Sequence, residues 1–260
     1  MRTICIMNLK GGVGKTVTAD NMAAILALDH GKRVLLIDAD HQGNSSRFFH
    51  ADLESATTRD ILTGDAELYW PENVQETAYT GLDIIPADMS LAELDAAPEL
   101  YRQGPERLRS MIEIICMDSA YDYVLIDMPP AFSLAARAAL AAADEVIVPI
   151  KLDAFSIDGM AELVRQISAM RQVNSRLTLA GVLITMWRNA DVVNQAEKIL
   201  RGSEVPVFET TIRRTDIVDE STFQREPLVV YSPRSAACVD YRRLVTEYLE
   251  RGEDRGKAAV

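Results

Sequence analysis

Met7-Asn-Leu-Lys-Gly-Gly-Val-Gly-Lys-Thr-Val17 carries the strongest structural signal in this 260-residue chain. Its three glycines lack a Cβ atom, so consecutive backbone N–H groups can turn inward around a phosphate without steric cost. Lys15 places a positive charge beside such a phosphate, and Thr16 offers a hydroxyl group to Mg²⁺. The stretch therefore predicts a phosphate-binding loop.

The residues on either side of this loop predict a strand before it and a helix after it. Residues 2–7 form a short apolar run that is typical of a buried strand, and residues 16–28 have the apolar spacing of a helix. Because the helix begins at the loop, its positive dipole end points at the same phosphate. The order strand, glycine-rich loop, helix is the context that makes the motif credible.

A second predicted strand, residues 32–38, ends in a cluster of polar residues. The run is apolar and rich in β-formers, which favours a buried parallel strand. Asp38 and Asp40 then stand at positions i and i+2, so both carboxylates point to one side, beside the phosphate loop. There they can hold Mg²⁺ or its water and orient a nucleophilic water. A turn capped by two aspartates is the alternative.

Tyr121-Asp-Tyr-Val-Leu-Ile-Asp127-Met-Pro-Pro130 has the Walker B pattern. The apolar run predicts a central strand beside the phosphate-loop strand, with Asp127 at its carboxyl end reaching Mg²⁺ through water. The two prolines end the strand and stiffen the loop near the γ-phosphate, where a switch would sense hydrolysis.

Composition narrows the classes of function. The formal net charge is −12, and residues 50–123 alone hold sixteen Asp and Glu against four Arg and no Lys. An acidic chain is a poor general DNA binder, so a DNA contact needs a local basic patch. The acidic stretch is either a solvated face or a partner-binding surface.

The cysteines and the hydropathy pattern predict a cytoplasmic, soluble protein. Cys5, Cys116 and Cys238 are far apart and form no C-x-x-C pair, which argues against disulfides and zinc. No stretch of eighteen apolar residues and no leader pattern is present, so we expect no membrane association.

At least five ordered motifs between residue 2 and about residue 249 resemble the ParA (Soj-like) family of ATPases. Lys10 before the glycine pair is similar to the extra lysine of the deviant Walker A box, K-G-G-x-G-K-[ST], of the ParA/MinD class. Residues 38–44 resemble D-x-D-P-Q-G-N, with His41 in place of proline. Residues 149–159 resemble P-V-Q-C-E-Y-F-A-L-E-G, with Lys151 in place of glutamine.

The carboxyl-terminal third continues the resemblance. Residues 207–216 correspond to the family's T-x-I-P-R segment, with Arg213 at the proline position and Arg214 matching the arginine. Residues 226–235 resemble G-K-P-V-x-x-Y-D-P-x-S, which precedes a last helix predicted for residues 236–249. In the family, the end of the strand at residues 177–186 lies near the adenine, and a plain core strand is the alternative.

The resemblance implies an α/β fold: a doubly wound, mainly parallel sheet with helices on both faces, in the deviant Walker A class of P-loop NTPases. We expect one domain over residues 1–250 and a polar tail over residues 251–260. ATP and Mg²⁺ are the implied cofactors, with Asp40 activating water and Lys10 and Lys15 neutralising phosphate charge.

The implied ligand contacts fall into three groups. Those to the nucleotide are Lys10, Gly11, Gly12, Val13, Gly14, Lys15, Thr16, Val17, Thr185, Met186 and Arg213. Those to Mg²⁺, some through water, are Thr16, Asp38, Asp40 and Asp127. Those to DNA phosphates are Arg188, Arg213, Arg214 and Arg234, for which surface salt bridges are the alternative.

As a function, the resemblance implies an ATP-dependent dimer in which Lys10 reaches the opposite subunit's ATP. That dimer would bind DNA without sequence preference and would be released by a ParB-type centromere-binding partner that stimulates hydrolysis. Arg213, Val17 and the acidic middle depart from the family pattern. The rival interpretation is a related switch that positions a protein cargo or regulates a mobile element, with little DNA affinity of its own.

Two further relatives fit the sequence less well. A nitrogenase-reductase-like electron donor needs paired cysteines after its switch motifs, and residues 128–131 offer none. A MinD-like membrane ATPase ends in a basic amphipathic helix, whereas this chain ends in a polar segment.

Overall fold

The computed structural model of the chain describes residues 1–67, 70–101 and 105–258, without the side chains of residues 70, 154–158 and 253–258. These residues form one sheet of eight strands. The strands are β1 (Arg2–Ile6), β2 (Val34–Asp38), β3 (Gln75–Glu76), β4 (Leu82–Ile85), β5 (Tyr123–Asp127), β6 (Glu145–Lys151), β7 (Thr178–Trp187) and β8 (Val207–Arg213). Their order across the sheet is β3-β4-β2-β5-β1-β6-β7-β8.

Every neighbouring pair in this sheet is parallel except β3 with β4. Helices connect the parallel strands and cover both faces. The helices are α1 (Lys15–Leu28), α2 (Asn44–Phe48), α3 (Thr58–Thr63), α4 (Trp70–Asn73), α5 (Glu93–Ala96), α6 (Glu106–Met117), α7 (Leu134–Ala142), α8 (Ala154–Met170), α9 (Asp191–Arg201), α10 (Asp216–Gln224), α11 (Leu228–Tyr231) and α12 (Ala236–Ala258), with 3₁₀ turns at Met89–Ala92 and Pro98–Leu100. The predicted doubly wound, mainly parallel fold is confirmed.

Two apolar cores lie on opposite faces of the sheet because successive strand residues point to opposite sides. In β1, Cys5 belongs to the core that also holds α6 and α7, while Ile4 and Ile6 belong to the core that holds α1 and α12. All three side chains are fully buried. Burying an Ile side chain contributes about 1.5–3 kcal/mol, so these runs commit the central strands to the middle of the sheet.

The register of the central strands brings the predicted site residues to one edge. Ile6 of β1 lies opposite Asp127 of β5, and Asp38 of β2 lies opposite the same Asp127. The loop that follows Ile6 therefore begins beside both aspartates. In open parallel sheets, ligands bind at this carboxyl edge.

Several elements differ from the sequence-based expectation. The helices α8, α9 and α10 were not predicted, and the last helix, expected to end near residue 249, continues to Ala258. Arg251 anchors this extension, since it donates to Val207 O at 2.9 Å and stands 4.6 Å from the centre of the Phe208 ring. Within the acidic stretch of residues 50–123, the short elements α4 and β3 lie between α3 and β4.

No helix in the described part of the chain combines the length and the apolar character needed to cross a membrane.

Candidate nucleotide and magnesium site

The loop between β1 and α1 forms an open cradle. Gly12 and Gly14 have φ angles of 69° and 85°, a left-handed backbone that side chains with a Cβ rarely adopt. Apart from the adjacent residues, no described atom lies within 4 Å of the point where a Cβ would stand on Gly11 or Gly12. The space above the loop is therefore free for a ligand, and α1 begins at Lys15 with its amino end facing it.

Lys15 lies within this cradle and is 7% exposed. Its Nζ donates to Lys10 O at 3.2 Å, which turns the ammonium back over the loop. Burial lowers the pKa of Lys15, and the carboxylates of Asp127 and Asp40 partly oppose that shift. A poorly hydrated ammonium at this point would interact strongly with a phosphate.

Asp127 offers the best observed fit to a cation. It is fully buried, and its Oδ2 accepts a hydrogen bond from Thr16 Oγ1 at 2.7 Å. Its Oδ1 is buried with no hydrogen-bond donor among the described residues. Burial, followed by the charge of Asp38, raises the pKa of Asp127 to about 8. A buried carboxylate with one unused oxygen, next to a threonine hydroxyl, suits Mg²⁺ or its water.

Asp38 and Asp40 have different surroundings. Asp38 Oδ1 accepts from the backbone N of Asp40 at 3.1 Å, and its Oδ2 accepts from Ser46 N and Oγ at 2.9 and 2.7 Å. Burial raises the pKa of Asp38 to about 6. Asp40 Oδ1 accepts from Gln42 N at 3.0 Å and lies 3.6 Å from Nδ1 of His41. Asp38 thus holds the loop in shape, while Asp40 is the carboxylate with room for a further partner.

Carboxylates alone do not make a metal centre here. Across the described ranges, no three His, Cys, Asp or Glu side chains are arranged to hold a metal ion. Mg²⁺ commonly keeps several waters and binds one or two carboxylates together with substrate phosphates. Thr16 and Asp127 fit that limited role, and the phosphate cradle would supply the rest.

A cavity of about 210 Å³ opens beside the cradle. Gly14 and Val17 line one side, and Thr185 and Met186 line another. Thr185 Oγ1 donates to Val13 O at 2.8 Å, which ties the end of β7 to the loop. Met186 has a φ of 51° where the pairing of β7 with β8 is irregular, a strained conformation of the kind found at binding sites. The two residues predicted near the adenine therefore face the cavity that adjoins the cradle.

A larger cavity, about 580 Å³, lies at the opposite edge of the sheet among the amino ends of the strands. Arg2 and Tyr123, which begin β1 and β5, line it. It is separated from the phosphate cradle by the length of these strands.

The four arginines predicted to contact DNA phosphates differ in their surroundings. Arg213 Nε and one terminal nitrogen each donate to Asp240 carboxylate oxygens at 2.8 Å, and the backbone N of Arg213 adds a bond at 3.0 Å. This contact with Asp240 raises the pKa of Arg213. Arg188, Arg214 and Arg234 are exposed, and no carboxylate in the described part of the chain forms an ion pair with them. Of the four arginines, Arg213 therefore fits the alternative interpretation, a salt bridge.

Lys10 lies at the mouth of the cradle and is held within its own chain. Its Nζ forms an ion pair with Asp153, and its backbone N donates to Asn8 Oδ1 at 2.9 Å. Asn8 Nδ2 in turn donates to Pro149 O at 2.7 Å. These contacts attach the start of the loop to the end of β6.

Sequence reasoning missed two polar residues that lie next to the predicted Mg²⁺ ligands. Ser45 Oγ donates to Asp20 Oδ1 at 2.7 Å and lies 3.3 Å from Asp127 Oδ2. Both Ser45 and Asp20 are buried. The available signal was the carboxylate of Asp20 within the apolar pattern of the first helix.

Comparisons with known proteins found relatives that match the chain over its whole length. A family model described as "AAA domain" matches residues 1–179. The chain is 36% identical to the chromosome partitioning protein ParA of Caulobacter vibrioides, an alignment that covers 100% of this chain and 98% of that protein. It is 34% identical to the sporulation initiation inhibitor protein Soj of Bacillus subtilis, covering 96% and 99%.

Among solved structures, the chain is similar to cobyrinic acid a,c-diamide synthase from Mycobacterium smegmatis with a bound ATP analogue and magnesium. The TM-score is 0.80 and the sequence identity 26%, over 95% of this chain and 93% of that one.

Proposed function

The chain belongs to the ParA/Soj family of partition ATPases, and from this membership we propose that it is a Mg²⁺-dependent ATP switch whose dimeric ATP form binds DNA. One observation carries the proposal. At a single edge of the sheet, an open glycine cradle faces a buried lysine and a buried aspartate whose Oδ1 accepts no hydrogen bond from the described residues. A phosphate and a cation together would satisfy all three groups.

In the proposed ATP state, different residues at the cradle bind the phosphates, the adenine, the Mg²⁺ and the attacking water. Backbone N–H groups and Lys15 bind the β- and γ-phosphates, and the cavity lined by Thr185 and Met186 takes the adenine. Thr16 and Asp127 hold the Mg²⁺, which when bound would neutralise charge on the phosphates. Asp40, which is 5% exposed and lies two residues after the end of β2, orients the attacking water.

The proposal also includes two further steps: the ATP dimer binds DNA, and a partner protein stimulates its hydrolysis of ATP. The relatives named as chromosome-partitioning ParA and as Soj motivate both. On this chain, the exposed arginines Arg188, Arg214 and Arg234 are the available phosphate contacts, because Asp240 engages Arg213. A ParB-type protein is the proposed activator, and it would shorten the life of the dimer by stimulating hydrolysis.

The decisive experiment uses Asp40→Ala, which should bind ATP without hydrolysing it. The variant is titrated onto random duplex DNA with Mg-ATP and, separately, with Mg-ADP at several salt concentrations. Binding with ATP alone, falling steeply as salt rises through counterion release, would support the proposal.

A second result would redirect the proposal. If light scattering shows the ATP dimer but neither nucleotide supports DNA binding, a switch that positions a protein cargo or regulates a mobile element is favoured. The bidentate contact of Arg213 with Asp240 is the structural observation that gives this alternative its weight.

A further inference from the structure

A chain of hydrogen bonds links the interior of α1 to the predicted Mg²⁺ ligand. Asp20 lies on α1, Ser45 in the first turn of α2, and Asp127 at the end of β5. Ser45 Oγ stands 2.7 Å from Asp20 Oδ1 and 3.3 Å from Asp127 Oδ2. One buried hydroxyl therefore lies between two buried carboxylates.

A serine hydroxyl has one proton to donate. The two distances assign that proton to Asp20, since 2.7 Å is the usual length of an O–H···O bond and 3.3 Å is beyond its normal range. This assignment holds for an ionised Asp20, which can only accept; a protonated Asp20 could donate to Ser45 Oγ through the same contact. Among the described residues, Thr16 Oγ1 is then the donor to Asp127 Oδ2, at 2.7 Å.

We propose that Asp20 is a positioning residue for the Mg²⁺ site: it holds the Ser45 proton away from Asp127 and so keeps that carboxylate available to the ion. The inference rests on the proposed function, because it concerns the same Mg²⁺-nucleotide site. Without Asp20, Ser45 would donate to Asp127, and Mg²⁺ or its water would have to displace an additional hydrogen bond.

Two buried contacts hold α2 where this arrangement requires it. Ser46 N and Oγ both donate to Asp38 Oδ2, and Ser46 Oγ accepts from Ala87 N at 2.8 Å. Gly43, just before α2, has a φ of 58°, and a Cβ there would stand 2.5 Å from Ala87 O. Ser45 is thus placed by its neighbours and not by Asp20 alone, so removing Asp20 should redirect the hydroxyl without moving the helix.

The test measures binding of a fluorescent ATP analogue as a function of Mg²⁺ concentration, with no hydrolysis readout. Asp20→Ala should raise the half-saturating Mg²⁺ concentration about fivefold, the value of one net hydrogen bond. Asp20→Val, which places an apolar side chain among the buried neighbours of α1, should do the same. Adding Ser45→Ala to either variant should return the Mg²⁺ requirement to within about twofold of the unmodified chain.

Two controls separate positioning from general loss of stability. Asn21 lies on the same helix; its side chain donates to Val17 O and accepts from Leu228 N, each at 2.8 Å. Asn21→Ala removes both hydrogen bonds. It should lower the melting temperature and leave the Mg²⁺ requirement unchanged. Ser45→Ala in the otherwise unmodified chain should change the Mg²⁺ requirement by less than about twofold, because the proton it removes is already held by Asp20.

Each contrary outcome has one meaning. An unchanged Mg²⁺ requirement in the Asp20 variants, or one that Ser45→Ala does not restore, would overturn the inference. If the Asp20 variants do not fold, a fivefold lower requirement in Ser45→Ala alone would overturn it, since Ser45 would then already donate to Asp127. Absence of Mg²⁺-dependent binding in the unmodified chain would instead remove the proposed function.

Discussion

Lys10 forms an ion pair with Asp153 of its own chain, across the mouth of the phosphate cradle. Asp153 lies between the end of β6 and the start of α8. The side chains of Lys10 and Asp153 are 41% and 34% exposed, so the pair is accessible to a second subunit. If Lys10 contacts the partner's ATP in the proposed dimer, it must first leave Asp153. The aspartate would then restrain dimer formation.

Asp153→Asn should lower the protein concentration needed for the ATP dimer by about two- to thirtyfold, since each of the two subunits must break one ion pair worth about 0.2–1 kcal/mol. Light scattering in the Asp40→Ala background gives the dimerisation midpoint without hydrolysis. Asp29→Asn is a matched control, because Asp29 pairs with Arg242 at 2.6 Å with similar exposure, 30% and 35%. It should leave the midpoint unchanged.

Lys10→Ala should bind ATP yet remain monomeric, which separates the role of the lysine from that of its aspartate partner. A stable ATP dimer of Lys10→Ala would contradict the role of Lys10 across subunits. A weaker dimer in Asp153→Asn would show that Asp153 contributes to the dimer and does not restrain it.

Lys15→Ala should abolish binding of an ATP analogue, because it removes the buried ammonium from the cradle. Lys32→Ala is the control, since Lys32 lines the cavity at the opposite edge of the sheet. Titration calorimetry measures both affinities. Equal affinities for the two variants would place the nucleotide elsewhere.

Arg214→Glu should remove DNA binding and spare the ATP dimer, because Arg214 is exposed and forms no ion pair with the described carboxylates. Arg213→Glu should instead reduce stability, since it brings a second carboxylate against Asp240, which is 3% exposed. Filter binding to random duplex DNA and thermal unfolding distinguish the two variants. The double variant should show both losses. Arg171→Glu, an exposed arginine after α8, is the charge-matched control.

Unchanged DNA affinity in Arg214→Glu and in the double variant would move the DNA contact to another surface. An equally stable Arg213→Glu would show that the Asp240 contact contributes little.

The nucleotide-free chain should become less stable as pH rises from about 4 to about 8. Burial raises the pKa of Asp127 from 3.8 to about 8 in the folded chain. Over that interval the folded state keeps a proton that the unfolded state has released, so the free energy of unfolding falls. Asp127→Asn, which cannot ionise, should have a flatter profile. Thermal unfolding in EDTA at a series of pH values measures both stability profiles. Parallel profiles for the two chains would contradict the raised pKa of Asp127.

Gly43→Ala should destabilise the chain by more than about 2 kcal/mol, because its backbone is left-handed and the new Cβ would overlap Ala87 O. Gly159→Ala is the reverse case. Gly159 lies in α8 with open space at its Cβ position, so alanine should stabilise the helix by about 0.5–1 kcal/mol. Urea unfolding measures both. A neutral Gly43→Ala would mean that the loop before α2 can shift.

Patterns that act over a few residues were predictable from the sequence. The glycines of the cradle, the apolar central strands and the aspartates at their ends have local causes: backbone freedom, burial on both sheet faces and a side-chain period of two. The parallel register then had to bring Asp38 and Asp127 together, as observed. Helices α8, α9 and α10 were not predicted from the sequence.

The amino-acid sequence by itself determined that a phosphate cradle, two aspartates and a Walker B carboxylate share one edge of a parallel sheet. Only the tertiary structure decided which atoms of that site form hydrogen bonds or ion pairs with other residues. Lys10 and Asp153 are 143 residues apart, and Ser45 and Asp127 are 82 apart. Such pairs depend on how the helices pack on the sheet and on which of several nearby donors lies closest to a given oxygen. That choice is made by distances of a few tenths of an ångström, which no spacing in a sequence encodes.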